Sequence, residues 1–164
     1  MIYQAKPEDL KTVTNLVHRT LKECYPSYFS QQIVTFFIHH HTEEAVKEDI
    51  VNANVFLMES DGYIVGTGTI KENEIKRLFI LPQYQHNQFG SELLACLEDD
   101  IAIKEITTAQ VYAHLHIYQW YQKCGYHIIA ESAIDINGEQ LPYYCMEKDV
   151  TAMNLDHLYQ GLMF

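Results

Sequence analysis

The apolar residues in the first third of the chain recur at helical spacing. A short strand is predicted at residues 2–5, and an amphipathic helix follows it after Pro7, which suits a helix start because it has no backbone N–H to leave unpaired. Residues 25–29 break this helix, and two more helices are predicted over 30–40 and 42–51. The apolar positions of the first helix are Leu10, Val13, Leu16, Val17 and Leu21.

The middle of the chain changes to the spacing of β-strands. Strands predicted over 54–60 and 63–71 are joined by Asp61-Gly62, a strong two-residue hairpin signal. A third strand is predicted over 74–81, and a central helix follows it. The apolar positions of that helix are Phe89, Leu93, Leu94, Leu97 and Ile101.

The last third combines both spacings. A strand is predicted over 106–113, then a helix, then a hairpin of strands over 126–136 and 139–147 that turns at Asn137-Gly138. The helix is marked by apolar residues at i, i+3, i+4 and i+7, namely Ile117, Trp120, Tyr121 and Cys124. This order of elements predicts an α+β fold with one βαβ crossover in the middle.

No internal repeat, low-complexity tract or Pro/Gly/Ser linker divides the chain. We therefore expect one domain over residues 1–150, which is long enough to bury a hydrophobic core. Residues 151–164 are predicted to be a tail that packs on the domain or at an interface. The sequence is compatible with a homodimer.

The charge of the chain excludes some classes of partner. Eleven Lys and Arg residues against 22 Asp and Glu residues give a formal net charge of −11, which repels nucleic acid and anionic membrane. A cationic small molecule or a basic peptide is compatible with this charge, and so is ordinary acidic solubility. The sequence shows no membrane-length apolar run and no signal-peptide pattern, so we expect a cytoplasmic protein.

The residues that most often bind metals do not form a metal site here. The four cysteines are widely separated and lack a CxxC pair, which argues against zinc and against a disulfide framework. The tract at residues 39–41 is three consecutive histidines, and consecutive helical side chains point about 100° apart. Three such side chains cannot converge on one ion, so we expect no metal.

The segment from Pro82 to Leu94 is the most informative one for chemistry. A strand ends at a proline, a polar loop follows, and a helix begins around Gly90. The free N–H groups of a helix start favour a phosphate. Many crossovers share this arrangement, so it is a weak signal by itself.

Two motifs make the signal stronger. The run Leu-Phe-Ile-Leu-Pro-x-Tyr-Gln-x-x-x-x-Gly-Ser-x-Leu-Leu, which begins at Leu78, resembles the acetyl-CoA-binding motif of the GNAT superfamily of N-acetyltransferases: a strand, Gln/Arg-x-x-Gly-x-Gly/Ala, then a helix. Gln85 matches the opening residue and Gly90 the closing one, whereas Gln88 stands where the first glycine is usual. Residues 117–126 are similar to the family's Ala-x-x-Phe-Tyr-x-Lys-x-Gly-Phe signature.

The resemblance covers roughly residues 2–148. It implies a GNAT-like fold with a mixed central sheet flanked by helices, splayed where acetyl-CoA inserts. It also implies transfer of an acetyl group to a primary amine of a small molecule or peptide, by direct attack in a ternary complex and without a metal. A non-catalytic acyl-CoA-binding or regulatory module is the alternative, because Gln88 and His114 depart from the family at cofactor positions.

The resemblance also assigns residues to the cofactor. The expected cofactor-binding residues are Phe79, Ile80, Leu81, Gln85, His86, Asn87, Gln88, Phe89, Gly90, Ser91, His114 and Tyr118. A backbone N–H near Phe79 is expected to stabilise the developing oxyanion.

Two residues are implied in proton transfer. Glu74, at the start of the strand that leads to the loop, is the expected base, and its alternative is an exposed turn carboxylate. Tyr121 is the expected acid that protonates the departing thiolate, and its alternative is a core aromatic. Cys124 is on the same apolar stripe and is interpreted as a packed thiol rather than a nucleophile.

The aromatic-rich segment after the first helix is expected to form one wall of the binding site for the acceptor amine. Tyr25, Tyr28 and Phe29, with Phe36 and Phe37, would then contact the amine substrate, since aromatic faces attract cations. Simple core packing is the alternative interpretation of these residues.

Overall fold

The structure is a computed structural model and describes residues 1–52 and 54–151. The predicted tail, apart from Thr151, lies outside the described residues. The described strands are β1 (Ile2–Gln4), β2 (Val55–Ser60), β3 (Tyr63–Lys71), β4 (Glu74–Ile80), β5 (Thr108–His114), β6 (His127–Ile136) and β7 (Glu139–Asp149). The described α-helices are α1 (Leu10–Cys24), α2 (Gln31–His40), α3 (Glu43–Val51), α4 (Phe89–Ile103) and α5 (Tyr118–Lys123).

Every predicted element is present, and the differences lie at element ends. Pro7 begins a short 3-10 turn, and the α-helix itself begins at Leu10. The side chains of Ser30 and Thr42 cap α2 and α3 by accepting hydrogen bonds from the N–H groups three residues later. Strand β5 begins two residues later than predicted and includes His114.

The strands form one mixed sheet in the order β1-β2-β3-β4-β5-β7-β6, which confirms the predicted fold class. Strands β4 and β5 are parallel neighbours, as a βαβ crossover requires, and the other pairs are antiparallel. Between β4 and β5 the only paired position is Glu74 with Gln110. The two central strands therefore diverge beyond Glu74, which confirms the predicted splay.

Helices cover both faces of the sheet and create two cores. Leu93, Leu97 and Ile101 of α4 pack on one face, and Val17 and Leu21 of α1 pack on the other. On the α4 face a Cβ at position 68 of β3 would lie 2.6 Å from Leu97 Cδ1, so the glycine there lets α4 sit directly on the strand. None of the described helices is long and apolar enough to cross a membrane.

A bulge interrupts β4 beside the splay. The register between β3 and β4 shifts after Thr67, and Arg77 takes a left-handed conformation with φ of 49°. A bulge rotates the following side chains relative to a regular strand. It therefore changes which β4 residues point to the same side at the mouth of the splay.

Candidate active site

A cleft of about 800 Å³ opens where β4 and β5 diverge. The sequence-predicted residues that line it are Tyr25, Tyr28, Glu74, Phe79, Ile80, Gln85, His86, Gln88, Gly90, Ser91, His114 and Tyr121. These residues come from the segment after α1, β4, the loop before α4, the start of α4, β5 and α5. The splay thus brings together segments that are far apart in the chain.

Two parts of this cleft differ in composition. We call the part formed by Ile80, Gln85, His86, Gln88, Gly90 and Ser91 the loop side. We call the part formed by Tyr25, Tyr28, Phe37, His114 and His116 the aromatic side.

Five predicted residues do not line the cleft, and each has another role in packing. The side chain of Asn87 donates to the carbonyls of Tyr84 and Gln85, both at 3.3 Å, and so stabilises the loop. Phe89 packs near Tyr84, with ring centroids 6.4 Å apart. Leu81 is buried beneath the loop.

The other two residues, Tyr118 and Phe29, pack against neighbouring side chains outside the cleft lining. Tyr118 packs on Tyr144 of β7, with ring centroids 4.9 Å apart, because it points from α5 toward the sheet rather than into the cleft. Phe29 forms a second layer, with its ring centroid 5.3 Å from Tyr25 and 5.1 Å from His116. Phe29 supports the aromatic side without lining it.

The loop side is shaped by unusual backbone. His86 and Gln88 both have φ of 66°, in the left-handed region that glycine adopts without steric cost. Gln88 is also the residue that caps the start of α4, with ψ of 4°. The missing glycine of the motif therefore falls where the chain still takes the glycine-like conformation, at a cost of roughly 1–2 kcal/mol.

Gln85 ties this loop to the open edge of β4. The N–H of Leu81 bonds to the carbonyl of Val65 in β3, so by the alternation of an antiparallel ladder the N–H and C=O of Ile80 point away from β3. Gln85 Nε2 donates to that Ile80 carbonyl at 2.9 Å. The N–H of Ile80 points to the same side, where β5 has diverged.

Gly90 allows α4 to begin close to α5. A Cβ on Gly90 would lie 3.3 Å from Cζ2 of Trp120, so a larger residue would push the two helices apart. The start of α4 and its free N–H groups are thereby held against the cleft.

Tyr121 is both a core aromatic and a cleft residue. Its ring packs against Trp120 and Tyr126, at centroid distances of 4.9 and 5.6 Å, and 9% of the residue is exposed. Within the described part of the chain its hydroxyl makes no hydrogen bond. Burial, with a smaller effect of Tyr25, raises the pKa of the phenol, so it stays protonated at neutral pH.

Glu74 is half-buried at the point where the two strands separate. Burial raises the pKa of its carboxyl, and the positive charges of Lys76 and Lys71 partly oppose that rise. A carboxylate with a raised pKa that faces a cleft is a stronger base than an ordinary one. Glu74 therefore has the character expected of a proton acceptor.

Rings crowd the aromatic side. Tyr25 lies 5.1 Å from Phe37, 6.1 Å from Phe79 and 5.4 Å from His116, measured between ring centroids. Tyr28 lies over His116 at 4.6 Å with an angle of 33° between the ring planes. The rings of this segment pack together, and those of Tyr25 and Tyr28 also line the cleft.

The sequence did not single out His116. Its ring is nearly parallel to that of His114, at 14° and 6.4 Å. Burial lowers the pKa of both imidazoles, that of His116 to about 4, and both are neutral at pH 7. The Nδ1 atoms of the pair are buried and lack a hydrogen-bond partner among the described residues.

A polar network at the β4 edge of the cleft was also not predicted. Because of the bulge, the adjacent residues Lys76 and Arg77 both reach Asp49 of α3. The Arg77 guanidinium pairs with the Asp49 carboxylate, and its Nε donates to His41 Nδ1 at 3.0 Å. Burial, followed by the charge of Arg77, lowers the pKa of His41 to about 3.

The histidine tract at residues 39–41 divides between different environments. His40 stacks on Phe36 at 5.7 Å and 15°, whereas His41 accepts a hydrogen bond from Arg77. Among the described residues there is no group of three or more His, Cys, Asp or Glu side chains that could hold a metal ion.

Comparison with known proteins connects this geometry to a family. The family model described as "Acetyltransferase (GNAT) domain" matches residues 24–149. A spermidine N(1)-acetyltransferase from Thermoplasma acidophilum is 24% identical over 135 residues, which cover 74% of this chain and 84% of that protein.

Solved structures agree on the fold. A GCN5-related N-acetyltransferase from Rhodopseudomonas palustris superposes with a TM-score of 0.81 at 20% identity, over 91% of this chain and 94% of the other. The PaiA N-acetyltransferase from Thermoplasma acidophilum, solved with coenzyme A, superposes with a TM-score of 0.70 at 23% identity, over 91% and 98%. Because the family model covers well over half of the chain, this protein belongs to the GNAT acetyltransferase family.

Proposed function

We propose that this acetyltransferase transfers the acetyl group of acetyl-CoA directly to a primary amine of a small molecule or peptide while both substrates are bound. The observation that carries the proposal is the single cleft at the splay, which is lined by both Glu74 and Tyr121. A base and an acid that share one cleft with an open strand edge suit transfer from a thioester to an amine.

The residues of the loop side fit the cosubstrate. Its pyrophosphate is anionic and the chain has a net charge of −11, so local backbone N–H groups must hold it. The loop before α4 and the start of α4, kept open at Gly90, offer such groups. When bound, acetyl-CoA supplies the activated acetyl group. The Ile80 N–H and the His114 ring would bind the pantetheine and thioester portion.

Glu74 is proposed to remove the proton that makes the amine unreactive. A lysine-like amine with a pKa near 10.4 is neutral in about 1 of 2,500 molecules at pH 7, a cost of about 4.6 kcal/mol. Glu74, directly or through water, accepts this proton, and its raised pKa favours that step. The amine nitrogen then bonds to the acetyl carbon as the C–S bond breaks; the nitrogen loses its second proton to water, and the Tyr121 phenolate regains a proton from water.

Tyr121 is proposed to give the departing sulfur its proton. A phenol of pKa near 10 protonates a thiolate whose conjugate acid is near 8.5 at a cost of about 2 kcal/mol. Burial raises the pKa of Tyr121, which increases that cost, but the same dry surroundings raise the basicity of the thiolate.

The relatives support an amine acceptor. By their names, the Thermoplasma acidophilum relative acetylates spermidine and a structural neighbour chimera is a spermidine N-acetyltransferase. All four cysteines are free, as in proteins of a reducing compartment, which supports the cytoplasm as the proposed location.

The test combines calorimetry and kinetics. The purified protein is titrated with acetyl-CoA, and thiol release is then followed with a panel of primary amines against a blank without amine. Binding together with amine-dependent release is the expected result. Binding with no release from any amine would point to a non-catalytic acyl-CoA-binding module, and absence of binding would overturn the cosubstrate assignment.

A further inference from the structure

We propose that the acceptor is a monoamine that carries an aromatic ring, and that the cleft discriminates against polyamines. This inference rests on the proposed function and names its substrate class. It follows from the charges of the cleft and from the arrangement of its rings.

The cleft has too few carboxylates for a polyamine. Among its described lining residues Glu74 is the only carboxylate, whereas Lys76 and Arg77 are cations. The nearby Asp49 is already paired with Arg77 and lies 3.4 Å from Lys76 Nζ. One ammonium group can therefore be balanced by Glu74, but a second would meet Lys76, whose side chain is 26% exposed, whereas the paired Arg77 is buried.

The net charge of the whole chain does not reverse this preference. A formal charge of −11 attracts any cation from a distance. At physiological ionic strength such attraction is screened beyond about 8 Å, so the charges that line the cleft decide which amine stays bound.

The aromatic side offers flat surfaces instead of charges. Tyr28 is 60% exposed at the mouth and lies over His116, and Tyr25 presents its edge to the same imidazole. His114 and His116 are neutral because they are buried, so they add no charge that would repel an amine. A planar ring can pack against Tyr28 and Tyr25 while its aminoalkyl group extends toward Glu74.

Steady-state thiol release with saturating acetyl-CoA tests the proposal with three amines. Phenethylamine carries a ring, n-propylamine carries one charge and no ring, and spermidine carries several charges. We expect kcat/KM for phenethylamine to exceed both others by at least about 10-fold, a factor of the size that one buried aromatic contact gives. A kcat/KM for spermidine that equals or exceeds that for phenethylamine would overturn the inference.

Two variants separate the causes. Lys76→Glu should raise the spermidine-to-phenethylamine ratio of kcat/KM by about 10-fold, whereas Lys11→Glu, the same change on the exposed face of α1 outside the cleft, should not. Tyr28→Ala should lower the phenethylamine-to-propylamine ratio by about 10-fold, whereas Tyr63→Ala, at an exposed tyrosine outside the cleft, should not. Unchanged ratios in folded Lys76→Glu and Tyr28→Ala, verified by circular dichroism, contradict the proposal, and Lys76→Gln repeats the charge test with a milder change.

The failure of this inference can be distinguished from that of the proposed function. If n-propylamine reacts and phenethylamine reacts no better, the enzyme is an amine acetyltransferase and only the aromatic preference is wrong. If acetyl-CoA binds and no amine releases thiol, both the function and the acceptor class are overturned.

Discussion

The loop side and the aromatic side of the cleft are built from different parts of the polypeptide. The loop side comes from one continuous stretch, residues 80–91, and it presents mainly backbone: the open edge of β4, two left-handed residues and the start of α4. The aromatic side presents side chains, and it takes Tyr25 from the turn after α1, Phe37 from α2 and His116 from the segment after β5.

This difference determines what each side can recognise. Backbone N–H groups bind any phosphate of the right shape, so the loop side suits a cosubstrate common to many enzymes. Rings and charges distinguish one amine from another, so the aromatic side suits the variable substrate. Variants on the two sides should therefore change different kinetic constants.

The largest effect is expected at Tyr121, where the two sides meet. Tyr121→Phe removes only the hydroxyl, which makes no hydrogen bond within the described chain, so the fold should be retained. We expect kcat to fall about 100- to 1,000-fold, as for loss of a general acid, with the dissociation constant of acetyl-CoA changed less than about 2-fold. Tyr118→Phe is the matched control, since Tyr118 faces Tyr144. Equal, small effects on kcat and binding would remove the general-acid assignment.

A smaller loss of rate, about 10- to 100-fold near pH 7, is expected for Glu74→Gln. The wild-type rate should fall as the pH is lowered, because Glu74 becomes protonated. Since burial raises the pKa of Glu74, this fall should begin at a higher pH than an exposed carboxylate would give. The variant should lose this acidic limb of the pH–rate profile. Glu72→Gln, in the exposed turn just before β4, should retain it. A limb that persists in Glu74→Gln would assign the base to another group.

The raised pKa of Glu74 also predicts that its replacement by glutamine stabilises the fold. The folded state holds the proton of Glu74 more tightly than the unfolded chain does, so ionisation destabilises the fold as pH rises above the unfolded pKa. Glu74→Gln should therefore be at least as stable as wild type at pH 8, with the difference disappearing toward pH 4. Urea unfolding at both pH values measures it, and a lower stability at pH 8 would contradict it.

The loop side and the fold could be predicted from the sequence because their signals are local. The hairpin turns at Asp61-Gly62 and Asn137-Gly138 and the helical stripe that ends at Cys124 each lie within a few consecutive residues. The motif around Gln85 and Gly90 is also local. Element ends were less certain, since capping and the 3-10 turn after Pro7 shift them by two or three residues.

The aromatic side was only partly predictable because its contacts are long-range. Arg77 contacts Asp49 and His41, which lie 28 and 36 residues away in the chain. This pairing depends on a bulge that we could not predict from the sequence. His116 belongs to no motif and acquires its place only when the turn after β5 brings it under Tyr28. Tyr118 was assigned to the cofactor because it lies three residues from Tyr121 on the same helical face, but its ring packs on Tyr144.

The buried histidines give the aromatic side a pH response. The folded pKa of His116 is about 4, below its ordinary value of 6.5, so its contribution to stability is present above pH 6.5 and is lost as pH falls toward 4. When the pH falls from 7.5 to 5.5, we expect the free energy of unfolding to decrease by about 0.5–1 kcal/mol less in His116→Gln than in wild type, allowing for solvent screening. Urea unfolding measures this, with His127→Gln on the exposed face of β6 as control. Identical pH slopes in wild type and His116→Gln would mean that this imidazole is not desolvated.

The smallest effect on the function of the site, a few-fold change in binding, is expected at Gln88, and it tests whether the loop side depends on backbone shape. Gln88→Gly should relieve left-handed strain, raise the free energy of unfolding by about 1 kcal/mol and tighten acetyl-CoA binding a few-fold. Glu105→Gly, at an exposed left-handed residue just after α4 with φ of 62°, should give a similar gain in stability without changing the dissociation constant. If calorimetry finds binding unchanged in Gln88→Gly while the stability rises, the left-handed side chain costs the fold energy but does not obstruct the cosubstrate. If binding tightens only in Gln88→Gly, the departure from the motif limits affinity at that position.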